Sequence, residues 1–410
     1  TSIKPGPKYF RIEKGVLDDI YNTEFEFNDG FGAFNIDQTD PVLNGITVEE
    51  QPICENAGYV VEFSVEATEG TGCGVFNQDD ISVTLSGGSY TPANLVFVNQ
   101  SPLGIFNYTY TIAGTETTAM YDIDVLATDD AGNTSTLSET NAFYIDNDAP
   151  AVSNIAADQS CYESGETVTI TFQASDVGCG TFDQNDLTVS TGTVNSPVYS
   201  SGPTLGFYTY TLLVDATDTE GNYDITVNAM DDAGNTTTTT LVSAFGIDKT
   251  APTTTGLAVT GAPVCVNAGT NVYFTFEASD LGCGTFDASN ITVTVLDPGS
   301  DGTSGTLSGH TFTGSVWEAS YQVGTLDTTG TYTILVDATD DAGNTATQLS
   351  TTFEVDNTAP VVTAFTDDAF CLTEGDTVTI EITATDIGCG TFDENDFSVW
   401  IEGGMIPVIM

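Results

Sequence analysis

Val272-Tyr-Phe-Thr-Phe-Glu-Ala278, running on through Ser279-Asp-Leu-Gly-Cys-Gly-Thr-Phe-Asp287, decides the fold. Val272, Phe274, Phe276 and Ala278 alternate with Tyr273, Thr275 and Glu277. A period of two marks a β-strand with one buried face. The same pattern stands at Val168–Ala174 and Val378–Ala384, and each copy runs into the string GCGTFD, at 178–183, 282–287 and 388–393. A shorter GCG lies at 72–74. A second short strand follows, such as Leu187-Thr-Val189, and late in each unit comes a strand like Tyr332-Thr-Ile-Leu-Val-Asp-Ala338. That strand turns at Asp-Ala-Gly-Asn, where glycine can take a positive φ.

Working outward, the turn string DDAGN occurs at 129–133, 231–235 and 340–344. Asp-x-x-Ala-Pro occurs at Asp146–Pro150, Asp248–Pro252 and Asp356–Pro360, and Asp37–Pro41 reads Asp-Gln-Thr-Asp-Pro. Successive copies are 109, 102 and 108 residues apart. A period of about 105 residues is one immunoglobulin-sized sandwich. Proline has no amide hydrogen and stops the ladder, which suits a boundary. The expected fold is all-β, a linear array of tandem sandwiches.

Composition agrees. The 410 residues hold 5 Lys+Arg against 59 Asp+Glu, a formal net charge of -54. Lys4, Lys8, Arg11 and Lys14 lie at the start, and Lys249 is the one base after them. Such a surface repels phosphate backbones and anionic membranes, so neither nucleic acid nor membrane insertion is expected. No apolar run approaches the roughly 20 residues of a membrane helix. Hydrophobic residues at 40% are enough to build cores. Abundant Thr, with few of the helix-forming Lys and Arg, favours strands. His310 stands alone, and the cysteines form no CxxC pairs, so neither a nucleophilic triad nor a mixed Cys/His zinc site is expected.

The succession Ala-Pro, strand, Thr-Phe-Asp-x-Asn-Asp, then Ala338-Thr-Asp-Asp-Ala-Gly-Asn-Thr345 and Val355-Asp-Asn-Thr-Ala-Pro360, resembles the bacterial immunoglobulin-like repeats of large surface adhesins. The resemblance covers nearly the whole chain. It implies a location outside the cell or on its surface, and calcium held at the junctions between repeats. Paired cysteines depart from the usual cysteine-poor pattern of these repeats.

Three complete units are expected at 42–150, 151–252 and 253–360. Residues 1–41 read as the last two strands of a unit, because Asp18-Asp19-Ile-Tyr-Asn22-Thr23 aligns with the DDAGNT hairpin. Residues 361–410 read as the first half of a unit. The two pieces total 91 residues, close to one unit. One subunit's tail half would be completed by the head half of the next, giving copies of the chain in an open head-to-tail polymer. The basic head would meet an acidic neighbour, and the apolar Met405–Met410 would be a liability if exposed. The competing reading is a window cut from a longer tandem protein.

Eight cysteines fall as Cys54/Cys73, Cys161/Cys179, Cys265/Cys283 and Cys371/Cys389, one before and one after the same strand of each unit. An even count in an acidic secreted chain suggests disulfides. A strand of about nine residues holds its ends roughly 30 Å apart, while a disulfide needs Cα atoms within about 7 Å. In a sandwich of this type the two cysteines lie at opposite ends, so Cys54–Cys179, Cys161–Cys283 and Cys265–Cys389 can meet across junctions. Cys371 and Cys73 would then pair between subunits. Local pairs within a unit, and free thiols, remain the alternatives.

The loop after that strand, the DDAGN hairpin and the incoming linker should share one end of each unit. For the second unit they carry Asp146 and Asp148, Asp176 and Asp183, and Asp231, Asp232 and Asn235. For the third they carry Asp248, Asp280 and Asp287, and Asp340, Asp341 and Asn344. Carboxylates that converge without a base repel one another unless a cation is bound, and calcium takes six to eight oxygens in loose geometry. The first unit has Glu69 and Asn77 at these places, so a weaker site or none is expected there. For the last, Asp356, Asp386 and Asp393 would need Asp18, Asp19 and Asn22 of a neighbour. The plainer readings are turn-shaping by Asp and Asn, or an acid surface holding hydrated cations.

Three function classes follow. A structural fibre or stalk, stiffened at its junctions, leads. An adhesin binding a surface glycan or protein ligand is second, with Trp317, Trp400, Tyr90, Phe97 and Phe106 as candidate contacts. The insertion Asp297–Gly314 is read as a flexible hairpin. An enzyme has little support, since paired carboxylates occur everywhere in the chain and nominate no pair. Sequons stand at Asn99, Asn107, Asn133, Asn235 and Asn290.

Overall fold

The computed structural model describes residues 37–51, 53–69, 74–204, 206–260, 265–299, 305–313, 316–368 and 371–400. Every regular element among them is a strand or a single turn of 3-10 helix.

The alternating residues form sandwiches. In the first, β1 (Val42–Val48), β3 (Val60–Thr68), β6 (Ile105–Thr111) and β5 (Leu95–Gln100) make one sheet, in the order β1-β3-β6-β5. The facing sheet orders β2 (Cys54–Glu55), β8 (Thr134–Ile145), β7 (Ala119–Thr128) and β4 (Ile81–Ser86) as β2-β8-β7-β4. Inward residues of β3 are buried, Val61, Phe63, Val65 and Ala67 at 2% exposure or less, while the residues between them face water.

The second sandwich repeats this. Its sheets are β13-β14-β11-β9 and β10-β16-β15-β12. The strands are β9 (Ala151–Ala157), β10 (Cys161–Tyr162), β11 (Thr167–Ser175), β12 (Leu187–Ser190), β13 (Val198–Thr204), β14 (Phe207–Leu213), β15 (Gly221–Met230) and β16 (Thr236–Ile247). The third has β17 (Thr253–Thr260), β18 (Cys265–Val266), β19 (Asn271–Ser279), β20 (Ile291–Leu296), β21 (Thr306–Leu307), β22 (Thr311–Thr313), β23 (Val316–Gln322), β24 (Gly330–Ala338) and β25 (Leu349–Val355). The stretch expected to be a flexible hairpin contributes β21 and β22, both paired with β23.

Beyond Pro360 only β26 (Val361–Asp367) and β27 (Ile380–Thr385) pair, antiparallel, and no facing sheet covers them among the described residues.

Each complete sandwich has its own core of Tyr, Phe, Val and Ile. Each buried large side chain is worth about 1.5–3 kcal/mol relative to exposure. Buried tyrosine hydroxyls find acids: Tyr110 donates to Glu116 at 2.6 Å, Tyr162 to Asp158 at 2.6 Å and Tyr321 to Asp327 at 2.5 Å. Burial, with the acid beside them, pushes the Tyr110 and Tyr162 hydroxyls well above their ordinary range.

Two short features place the junction chemistry. The strands β2, β10 and β18 each pair parallel with the end of the last strand of their sandwich, at Cys54↔Tyr144, Cys161↔Gly246 and Cys265↔Glu354. That puts each of these cysteines beside the outgoing linker. The GCG loop follows the long inner strand at the other end.

Candidate junction site

At each of three junctions a disulfide joins one sandwich to the GCG loop after it. The pairs are Cys54–Cys179, Cys161–Cys283 and Cys265–Cys389, with Cα atoms 5.8, 5.6 and 5.5 Å apart. Strands β3, β11 and β19 have nine residues each, which keeps the two cysteines of one unit apart. Cys371 is exposed and unbonded, and Cys73 lies outside the described residues.

The linker aspartate sits under the loop. Asp146, Asp248 and Asp356 each lie in a group with the two cysteines of their junction. The first glycine of the GCG string makes this possible. A Cβ at Gly178, Gly282 or Gly388 would overlap Oδ2 of Asp146, Asp248 or Asp356. The last glycine turns the chain at positive φ, +89° at Gly180 and +88° at Gly284. The loop N–H groups then point at acids. Cys179 donates to Asp146 Oδ2 at 3.1 Å, and Thr181 and Thr285 donate to Asp232 and Asp341, each at 2.8 Å.

The hairpin closes the site from the other side. Asn235 donates through Nδ2 to Asp231 Oδ2 and to the Asp146 carbonyl, both at 2.9 Å. Asn344 does the same to Asp340 at 2.9 Å and the Asp248 carbonyl at 3.1 Å. Asn133 reaches Asp129 at 2.7 Å and the Asp37 carbonyl at 3.4 Å. The hairpin asparagine therefore ties the linker down through its amide nitrogen. Asn56 of the preceding sandwich adds a bond to Asn235 Oδ1 at 3.1 Å.

Carboxylates converge as a result. Oxygens of Asp146, Asp176 and Asp231 lie within 4.8 Å of one another, and so do those of Asp37, Glu69 and Asp129. Glu69 thus reaches, at the first sandwich, the place that Asp176 holds at the second. The sequence places Glu69 at this position with a weaker site or none expected; Asp37 and Asp129, at the motif positions of Asp146 and Asp231, bring two further carboxylates to it. At the third sandwich Asp280 and Asp340 act on Asp248 electrostatically.

The electrostatics are unfavourable for bare carboxylates. Burial raises Asp146 above the usual carboxylate range, and the charges of Asp176 and Asp231 push it the same way. Burial likewise raises Asp248, with Asp280, Asp340 and Glu220 adding repulsion. Asp248 is 2% exposed, and its buried Oδ2 has no hydrogen-bond partner. Asp129 differs. Burial pushes it up, but the bonds from Asn133, Ala131 and Gly132 outweigh that and hold it low. Lys249, the only Lys or Arg among the described residues, donates its ammonium to the carbonyls of Asp215, Ala216 and Asp218. It neutralises none of the triads. An all-oxygen set with a buried orphan lone pair suits a hard divalent cation.

Other sequence candidates have different places. Asp183, Asp287 and Asp393 cap one-turn helices, accepting from the backbone N–H of Asn185 at 2.7 Å, of Ser289 at 2.8 Å and of Asn395 at 2.8 Å. Asn77 does the same in the first sandwich. Asp148 meets Asp146 through its own backbone N–H, at 3.2 Å. Asp386 lies beside the last loop with Oδ1 buried and unpartnered. Asp18, Asp19 and Asn22 lie outside the described residues. Among the aromatic candidates for ligand contact, Phe106 and Trp317 are buried at 0% and 4% exposure, and Tyr90 and Phe97 pack against the first core. Only Trp400 stands out in solvent.

Fold and junction together define a tandem β-sandwich protein whose repeats are covalently joined. Residues 206–347 and 315–387 match the model of the bacterial Ig-like domain (group 3), so that part of the chain is similar to this family. Among solved structures it is similar to FdeC, an Escherichia coli adhesin, at 16% identity over 77% of this chain and 98% of that one, with a TM-score of 0.38. A 1.5-MDa bacterial ice-binding adhesin gives 19% identity over 78% and 99%, with a TM-score of 0.35. A Ca2+-stabilized adhesin of an Antarctic bacterium gives 22% over 80% and 76%, with a TM-score of 0.32. No curated protein matches the chain. No helix among the described residues is long and apolar enough to cross a membrane.

Proposed function

We propose that the chain is a structural element of an extracellular fibre or surface stalk, with no catalytic role. The observation that carries this is the triple attachment at the first two junctions: a disulfide, an asparagine tied to the linker carbonyl, and a buried linker aspartate under the GCG loop; the third shows the disulfide and the aspartate. Flexible linkers are the default between domains. Several attachments at one junction resist bending, which suits a molecule that spans distance.

Calcium completes the junction in this reading. Asp146, Asp176 and Asp231 would hold one ion, Asp248, Asp280 and Asp340 a second, and Asp37, Glu69 and Asp129 a third. The ion would supply positive charge where these carboxylates converge. A chelator is expected to lower the melting temperature and widen the distribution of bend angles seen by electron microscopy. Unchanged melting and bending on chelation would remove the metal from the account.

Assembly is head to tail. Residues 361–410 supply part of a sandwich, and residues 1–41 of a second copy complete it. The β26–β27 pair, which no facing sheet covers among the described residues, supports this, with Val361, Val362 and Phe365 each at least 56% exposed. The test is sedimentation of the full chain beside a chain lacking residues 1–36. Only the full chain is expected to form long species. Equal behaviour of the two chains would contradict the assembly and leave a stalk segment as the reading.

A further inference from the structure

We infer that Ala33–Asp37 of a second copy is the missing last strand of the terminal half-sandwich, lying parallel to Cys371–Leu372 with Asn35 opposite Cys371. The inference rests on the head-to-tail reading and assigns its register and its anchors.

In all three complete sandwiches the cysteine strand is paired in one way. The N–H two residues beyond Tyr144, on Asp146, donates to the Glu55 carbonyl at 3.0 Å. Asp248 donates to the Tyr162 carbonyl at 3.0 Å, and Asp356 to the Val266 carbonyl at 2.8 Å. Each donor is the linker aspartate that ends the last strand. Residues Cys371 and Leu372 stand at the equivalent place and pair with no strand among the described residues. Leu372 is 52% exposed, whereas Tyr162 and Val266 at the same position are 0% and 4% exposed.

The occupant is written in the sequence. Ala33-Phe-Asn-Ile-Asp37 matches Ala142-Phe-Tyr-Ile-Asp146 and Ala244-Phe-Gly-Ile-Asp248 residue for residue, apart from the central position. In those two strands Phe143, Ile145, Phe245 and Ile247 are core residues at 2% exposure or less. Phe34 and Ile36 therefore carry the pattern of core side chains. The half-sandwich offers a matching groove of about 610 Å³, lined by Ile380, Ile382, Phe392, Phe397 and Val399. Its inward side chains are only half-buried, where their counterparts Ile170 and Phe172 are 0% and 1% exposed.

The occupant cannot be the same copy. The Asp37 carbonyl is held by Asn133 of the first sandwich. Three residues of extended chain, the separation from Asp37 to Phe34, reach at most roughly 11 Å. The groove lies beyond three sandwiches, each about 30 Å long.

The register is tested on the full chain carrying Cys73→Ser and Asn35→Cys, treated with a short bis-maleimide under assembling conditions. Peptide mapping should find residue 35 linked to native Cys371 at least tenfold more often than residue 36 in the matching Ile36→Cys chain. Phe34→Asp and Leu372→Asp should each weaken assembly at least about tenfold, as expected for charging a buried anchor. Polymers that form without the 35–371 preference, or that tolerate both aspartates, would overturn the register and leave the head-to-tail reading standing. A wild-type chain that stays monomeric would overturn both.

Discussion

At Gly282 there is no room for a methyl group, because Asp248 Oδ2 occupies the space a Cβ would need. Gly282→Ala must push the loop off the linker. It is expected to cost about 1–3 kcal/mol, read as a lower melting temperature with the three cores still formed. Asp248 itself gives a pH test. Burial raises its folded pKa above the unfolded value. The folded carboxyl then binds its proton more tightly than the unfolded one, so the cost of keeping it charged applies in full above the folded pKa. That cost disappears as pH falls through the folded pKa towards the ordinary carboxylate range. In chelator, mild acidification should therefore stabilise the wild type, and Asp248→Asn should flatten the slope; equal slopes would count against the burial argument. Much of this residue-level site was legible, since Asp176 and Asp231 stand at fixed offsets from GCG and DDAGN. The role of Asp183 was not. It lies in the same loop as Asp176, and only the one-turn helix that it caps separates a capping acid from a converging one.

The hairpin and the disulfide act at the scale of elements. Asn235 braces two elements through one amide, so Asn235→Ala loses bonds to Asp231 and to the linker at once. A loss of about 1–3 kcal/mol is expected, measured by calorimetry against Asn228→Ala on an exposed strand face. Replacing Cys161 and Cys283 by serine should leave every sandwich folded, because each has its own core. Circular dichroism should be unchanged while small-angle scattering reports a broader range of lengths. Loss of folded signal would mean that the junction carries a core's share of the stability. The strands were readable from their period of two, and nine-residue spacing set the two cysteines of a unit at opposite ends. The parallel β2, β10 and β18 pairings were hidden, because two residues show no periodicity.

Across the whole molecule, a net charge of -54 works against close packing of acidic ends. On the proposed reading calcium offsets this locally. Saturating it at about 100 times its dissociation constant should add about 2.7 kcal/mol per site, seen as a concentration-dependent rise in melting temperature that magnesium does not match. Repeat number and spacing were plain in the sequence, because DDAGN, GCG and Ala-Pro recur in fixed order. What covers β26 and β27 could not be read from periodicity, since an alternating strand looks the same with or without a facing sheet. Cryo-electron microscopy of the purified full chain in calcium tests the central claim most directly. The account predicts unbranched fibres with density for residues 33–37 of one copy in the sheet that holds Cys371 of the next. Short separate particles of three beads, with that sheet uncovered, would contradict it.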